Sequence, residues 1–243
     1  MFNDLNGRRV LITGSTAGIG LATAKAFAKC GAKVGLNSRS QTKAESAIAA
    51  VSSEGGEVAF FEADLSKSED CEKLVQAFVD QFGGIDILIN NAGGLGGRSK
   101  FEEIDDDFYN SVMDLNVRSV LMVTKFAIPH LRRSVKETKQ SSAVISTGSI
   151  AAREGGGIGA SIYAASKAWL HNIQRNWVKE FTQDNIRFNI VSPGTIDTAF
   201  HADKSDELKD NIANTIAMKR FGRIEELAPS YLFLASHATS SYI

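Results

Sequence analysis

A chain of 243 residues that is 43% hydrophobic can bury one large core and is read as one domain over residues 1–243. Its formal net charge of −1 offers no electrostatic reason to expect a nucleic acid or an anionic membrane as partner. Met1-Phe-Asn-Asp-Leu-Asn-Gly-Arg-Arg lacks a charged segment followed by a long apolar core, and no later run approaches a membrane span, so a soluble, cytoplasmic protein is expected. Cys30 and Cys71 show neither metal spacing nor a disulfide framework, which fits a reducing compartment. His130, His171, His201 and His237 have no ligand spacing, and no metal is expected.

In chain order, strands are predicted at 9–13, 33–37, 57–62, 86–90, 143–147 and 186–191, with helices near 18–30, 41–53, 67–82, 105–133 and 161–182. This alternation predicts an α/β fold: a doubly wound parallel sheet, Rossmann-like, with helices on both faces. Ligands of such sheets gather at the carboxyl ends of the strands. The first strand, Arg9-Val-Leu-Ile-Thr13, runs into Gly14-Ser15-Thr16-Ala-Gly18-Ile19-Gly20 and then a helical pattern. Strand, glycine turn and helix in that order aim backbone N–H groups and the positive end of a helix at a phosphate. The spacing is Gly-x-x-x-Gly-x-Gly, not the Gly-x-Gly-x-x-Gly of the general dinucleotide fingerprint.

Tyr163 and Lys167 stand four residues apart on the last of these helices and so share one face. A free phenol has a pKa of about 10, so an ammonium beside it, with a second positive charge, would be needed to make it an acid/base near neutral pH. Together with the glycine turn, the pair resembles the short-chain dehydrogenase/reductase family. Further matches along nearly the whole chain are Asn90-Asn91-Ala92-Gly93, Asn116 in Leu-Asn-Val, Ser149 in Thr-Gly-Ser, and Pro193-Gly194 in Val-Ser-Pro-Gly-Thr. The resemblance implies an oxidoreductase with a nicotinamide cofactor and a tetrad of Asn116, Ser149, Tyr163 and Lys167. It implies that Ser149 binds the substrate carbonyl, Tyr163 exchanges the proton, and Lys167 depresses the Tyr163 pKa and holds the nicotinamide ribose. Asn116 is expected to support a water-linked proton route. Gly14, Ser15, Thr16, Gly18, Ile19 and Gly20, then Asp64 and Leu65, Asn91, Ala92 and Gly93, and Pro193, Gly194, Ile196 and Thr198 are carried over as cofactor contacts. Asp64 could equally be a helix N-terminal acid, and in isolation Pro-Gly is as well explained by a turn.

Coenzyme choice is argued from charge. A carboxylate some 20 residues beyond the glycine loop would favour the free ribose and repel a 2′-phosphate. None occurs from Leu21 through Ala44, and the second strand instead ends in Asn37-Ser38-Arg39, whose guanidinium can bind phosphate through parallel hydrogen bonds. NADP(H) is therefore expected over NAD(H), although Ala17 stands where some NADP-using relatives carry a basic residue.

The substrate is expected to be a small carbonyl or alcohol, its pocket shaped by segments 94–103, 150–161 and 196–214. The middle one carries four glycines, and the last, with Phe200, His201 and a helix-prone stretch from Asp203 to Asn214, reads either as a lid or as a solvated face. A resemblance to 3-oxoacyl-acyl-carrier-protein reductases raises an acyl thioester as substrate, with Arg132, Arg133 and Lys136 as carrier-facing charges, but Asp184 stands where a basic residue would be expected. A catalytically silent NADPH-binding scaffold is the alternative outside enzymology. The resemblance further implies a homotetramer or homodimer, and a seventh strand is expected to be missing because the sequence stops at Ser240-Ser-Tyr-Ile243.

Overall fold

The computed structural model describes residues 2–198 and 205–243. Six strands, β1 (Arg9–Ile12), β2 (Lys33–Ser38), β3 (Glu57–Glu62), β4 (Ile87–Asn90), β5 (Ser142–Thr147) and β6 (Ile186–Val191), form one sheet in the order β3-β2-β1-β4-β5-β6. Every pairing is parallel, with Ile12 beside Leu36 on one side and Ile89 on the other. The chain reverses its direction of winding between β1 and β4, and at such a switch the loops leaving the strands part to form a crevice.

Both faces of the sheet are covered, which is why the middle strands carry unbroken apolar triplets, Val10–Ile12 in β1, Ile87–Ile89 in β4 and Ala143–Ile145 in β5. Leu11, Leu88 and Val144 point into a core built with α3 (Ser68–Phe82), α5 (Ser119–Thr138) and α7 (Ser161–Phe181). The alternate residues Val10, Ile12, Ile87, Ile89 and Ile145 pack with α1 (Gly18–Lys29), α2 (Ala44–Ser52) and α9 (Ala228–Ala235). Among the described residues no helix is long and apolar enough to cross a membrane.

The helix predicted over 105–133 is interrupted. Asp105 caps α4 (Asp106–Met113) by accepting from Phe108 N at 2.8 Å, and a wide π turn over Asp114–Arg118 then separates α4 from α5. Four shorter helices, α6 (Ala151–Glu154), α8 (Asp206–Thr215), α9 and α10 (His237–Ser240), are additional to the predicted set, although the helix-prone stretch before Asn214 coincides with most of α8. Phe200, His201 and Asp203, part of the lid reading, lie outside the described residues. No seventh strand is present among the described residues, and the outer strand β6 instead holds the last residues, with Arg187 donating to Leu234 O, Ala235 O and Ser240 Oγ and Asn189 donating to Ile243 O.

Candidate active site

The crevice at the β1–β4 switch opens into a cavity of about 760 Å³. Its floor is the glycine turn interlocked with the loop after β4. At Gly14, φ is +60°, and a Cβ there would stand 2.8 Å from Ala92 Cα, so only glycine lets the two loops meet. Asn91 cross-links them by donating to Thr13 O and Gly14 O, while Thr13 Oγ1 accepts from the backbone of Asn91 and Ala92. Gly20 is needed for packing, since a Cβ would lie 2.4 Å from Gly14 O and 2.5 Å from Asn91 Nδ2. This bare-backbone approach at the start of a helix fits a dinucleotide pyrophosphate.

Of the positions expected to meet a coenzyme, Gly14, Gly18, Ile19, Asn37, Ser38, Arg39, Leu65, Asn91, Ala92 and Gly93 line the cavity. So do Ser149, Tyr163, Lys167, Pro193, Gly194, Ile196 and Thr198. Ser15, Thr16, Gly20, Asp64 and Asn116 do not. Ser15 is turned inward, donating to Ile12 O at 2.7 Å and accepting from Asn37 N at 3.0 Å. Asp64 accepts from Ser66 N and Oγ. Burial pushes its pKa up, but these bonds and the charges of Lys67 and Arg39 outweigh that and hold it below the usual carboxylate range. Asn37 reaches the cavity yet spends its amide on structure, accepting from Gly14 N and donating to Phe61 O and Ala63 O.

Lys167 is buried and donates to Thr147 O at 2.8 Å, and its Nζ lies 5.9 Å from the centre of the Tyr163 ring. Burial pushes the ammonium down to about 8. Tyr163 was expected to have a depressed pKa. Burial instead raises it in this structure, and the hydrogen bond with Ser149 offsets only part of that. Ser149 Oγ also accepts from Ala151 N at 3.1 Å, which sets its hydroxyl at the start of α6.

Asn116 is fully buried in the π turn. Its amide donates to Gly94 O and Val112 O, both at 2.9 Å, and accepts from Gly94 N at 3.1 Å. A Cβ at Gly93 would stand 2.8 Å from Asn116 Oδ1 and 3.2 Å from Lys167 Nζ, so these two side chains converge on one glycine.

Several contributors had no motif to mark them. Tyr231, fully buried on α9, hydrogen-bonds Thr147 Oγ1 at 2.7 Å, and that hydroxyl contacts Asn91 Oδ1 at 3.3 Å. His171 Nε2 lies 2.9 Å from Ser192 Oγ, where both crowd Gly148. Ala17, Leu95, Arg98, Leu115, Ile150, Glu154 and Ile212 of α8 complete the cavity wall. Among the described residues no group of three His, Cys, Asp or Glu side chains could hold a metal ion.

Fold and crevice define a dinucleotide-binding α/β protein. A model of the short chain dehydrogenase family matches residues 8–209. The chain is 33% identical to the 3-oxoacyl-[acyl-carrier-protein] reductase FabG of Chlamydia pneumoniae, over 97% of this chain and 92% of that one. Among solved structures it is similar to an NADH-dependent reductase A1-R′ responsible for alginate metabolism, at 62% identity and TM-score 0.93, covering 99% of this chain and 94% of the other. The same reductase complexed with NAD superposes with TM-score 0.91 at 61% identity, covering 100% and 94%. A short chain dehydrogenase from Burkholderia cenocepacia J2315 in complex with NADP gives TM-score 0.86 at 29% identity, covering 96% and 91%. The chain belongs to the short-chain dehydrogenase/reductase family and is an oxidoreductase of carbonyl and alcohol groups that binds a nicotinamide coenzyme.

Proposed function

We propose that residues 1–243 act as one oxidoreductase domain that reduces a small carbonyl compound with Tyr163 as proton donor, the reverse oxidation using the same groups. The observation that carries this reading is the Ser149–Tyr163–Lys167 cluster, in which a buried ammonium fixed by Thr147 O sits beneath a phenol hydrogen-bonded to Ser149, on the wall of the cavity that the glycine turn also lines. The nicotinamide, when bound, supplies or accepts the hydride. Ser149 hydrogen-bonds the carbonyl oxygen and Tyr163 gives that oxygen its proton. Lys167 holds positive charge beside the phenol and is placed to meet the nicotinamide ribose. Asn116 fixes the π turn and the Gly93–Gly94 backbone against Lys167, and any water-linked proton route runs past that backbone.

The coenzyme reading is NADP(H), supported by Arg39 on the cavity wall and the absence of an acid from Leu21 through Ala44. The NADH-dependent neighbour favours NAD(H) as the second reading. Alginate is a chain of uronate sugars, so the same neighbour supports an acidic sugar carbonyl as substrate. An acyl carrier is less well supported, because Arg132 is paired with Asp184 at 2.7 Å and Arg133 with Glu137. Exposed Tyr109, Leu121 and Val178 on α4, α5 and α7 support a homotetramer or homodimer, and free Cys30 and Cys71 support a cytoplasmic setting.

One kinetic series tests both readings: NADPH and NADH oxidation with a carbonyl panel, in wild type, Tyr163→Phe and Arg39→Ala. Tyr163→Phe is expected to lose about 10²–10⁴ in turnover while still binding coenzyme, as for removal of a general acid. Retained turnover would refute the role of Tyr163, and tight coenzyme binding without turnover in wild type would favour a silent scaffold. Arg39→Ala is expected to weaken NADPH and spare NADH; equal affinity for both coenzymes in both proteins would refute the 2′-phosphate assignment.

A further inference from the structure

Among the described residues four charged side chains line the cavity: Arg39, Arg98, Glu154 and Lys167. The proposed chemistry assigns Arg39 to the coenzyme and Lys167 to the tyrosine, which leaves Arg98 and Glu154 on the substrate side. Arg98 is held in place there. Its Nη1 donates to Ile158 O at 2.6 Å, and the neighbouring Ser99 N donates to Gly159 O at 3.1 Å, so the loop after β4 is latched to the loop between α6 and α7. A Cβ at Gly157, a wall residue, would lie 3.3 Å from Arg98 Nη1, and one at Gly159 would lie 3.0 Å from Arg98 Cβ. Glycine is what lets the guanidinium lie along this wall.

A guanidinium carries several N–H donors in a planar fork that matches a carboxylate, and the Ile158 carbonyl uses one. Among the described residues Arg98 makes no ion pair, although Glu154 lines the same cavity. On the side of the α6–α7 loop the wall beside Arg98 is the backbone of Gly157, and Ile158, the large apolar side chain of that loop, is 91% exposed, while Leu95, Leu115, Ile150 and Ile212 line other parts of the cavity. Bare backbone with its N–H and C=O groups suits hydroxyls better than an acyl chain.

We propose that Arg98 is a specificity-determining residue that receives the carboxylate of a small polyhydroxylated carbonyl compound while Ser149 and Tyr163 face its carbonyl oxygen. This inference rests on the reductase reading above and deepens it. Glu154 lines the same cavity with a charge that opposes the anion, so its neutralisation should strengthen acid binding.

The test measures initial rates with D-glucuronate, its neutral amide D-glucuronamide, and pyridine-3-carbaldehyde as a general carbonyl, in wild type, Arg98→Gln, Arg98→Lys and Glu154→Gln. Arg98 is exposed and glutamine retains a donor for Ile158 O, so unchanged thermal melting of Arg98→Gln is expected. For the acid, Arg98→Gln should raise KM about tenfold or more with kcat within about twofold, as for loss of a charge-paired ground-state contact. The amide should be unaffected, Arg98→Lys should recover part of the loss, and Glu154→Gln should lower KM for the acid. Equal KM changes for acid and amide would reduce Arg98 to a loop latch and overturn the proposal, as would no change at all. Wild type that reduces the amide or the aldehyde without preferring the acid overturns the anchor alone. Wild type that reduces none of the three refutes the reductase reading and the anchor with it.

Discussion

Burial of the Tyr163 phenol raises its pKa, which keeps the proton on its oxygen at neutral pH. Lys167 pays for this arrangement in stability. Its ammonium is held in the protein interior at a pKa of about 8, against 10.5 in the unfolded chain. Below pH 8 the folded state must bury the charge in full; above 10.5 neither state carries it. Between those values the unfolded chain binds more protons, so the contribution of Lys167 becomes less unfavourable as pH rises. Urea unfolding of wild type and Lys167→Met at pH 7 and pH 10.5 should therefore show wild type gaining on the variant at the higher pH, by on the order of 3 kcal/mol. A pH-independent difference would mean that Lys167 titrates in the fold as it does in the unfolded chain, with no cost of burying its charge. The variant should be catalytically dead at both values.

At the scale of elements, the π turn is what carries Asn116 to the back of Lys167. A straight α-helix through 114–118 would change the phase of Asn116 relative to Val112 O and Gly94. Gly93→Ala tests the junction, because a Cβ 2.8 Å from Asn116 Oδ1 and 3.2 Å from Lys167 Nζ forces one of them to move. We expect at least about a tenfold loss of kcat with native circular dichroism and a small change in melting temperature, since a misplaced catalytic group costs rate more than fold. Wild-type kinetics would show that the two side chains need not be fixed. The strands were legible because burial on both sheet faces leaves an apolar triplet in each of β1, β4 and β5. The π turn was not, since the phase shift it introduces falls between two short helical stretches and leaves composition unchanged. Tyr163 and Lys167 were singled out by their spacing and Ser149 by the family resemblance, yet the inward turn of Ser15 and Asn37 was hidden, because a small polar residue at a strand end serves a ligand or a backbone equally well. Arg98 carried no motif at all, and its place depends on two loops distant in sequence meeting across the crevice.

Across the whole molecule, Asp86 ties the far end of the sheet together. It accepts from Arg9 N, Nε and Nη2 at 2.6, 3.0 and 2.6 Å and from Ser134 Oγ on α5, with Arg8 Nε 3.8 Å away. Burial pushes its pKa up, but the Arg9 and Ser134 hydrogen bonds and the Arg8 charge outweigh this and hold it below the usual carboxylate range. A carboxylate depressed in the fold stabilises fully above its unfolded value and loses that contribution as pH falls through the lower folded one. Asp86→Ala should cost about 3 kcal/mol by leaving the buried Arg8 and the half-buried Arg9 without their shared carboxylate, and Asp86→Asn should flatten the fall in stability below about pH 4. Unchanged acid unfolding in Asp86→Asn would show that other carboxylates govern it. This network lies at the opposite strand ends from the crevice, so its loss should lower stability while leaving KM unchanged.

The cross-linking of the glycine turn to the loop after β4 has a thermodynamic consequence. Asn91 and Thr13 fasten the two loops with side-chain hydrogen bonds to backbone groups, every partner of which belongs to the protein itself. A receptor already assembled in this way spends little conformational entropy on ordering its walls, so the favourable contacts with the pyrophosphate pass almost undiminished into affinity.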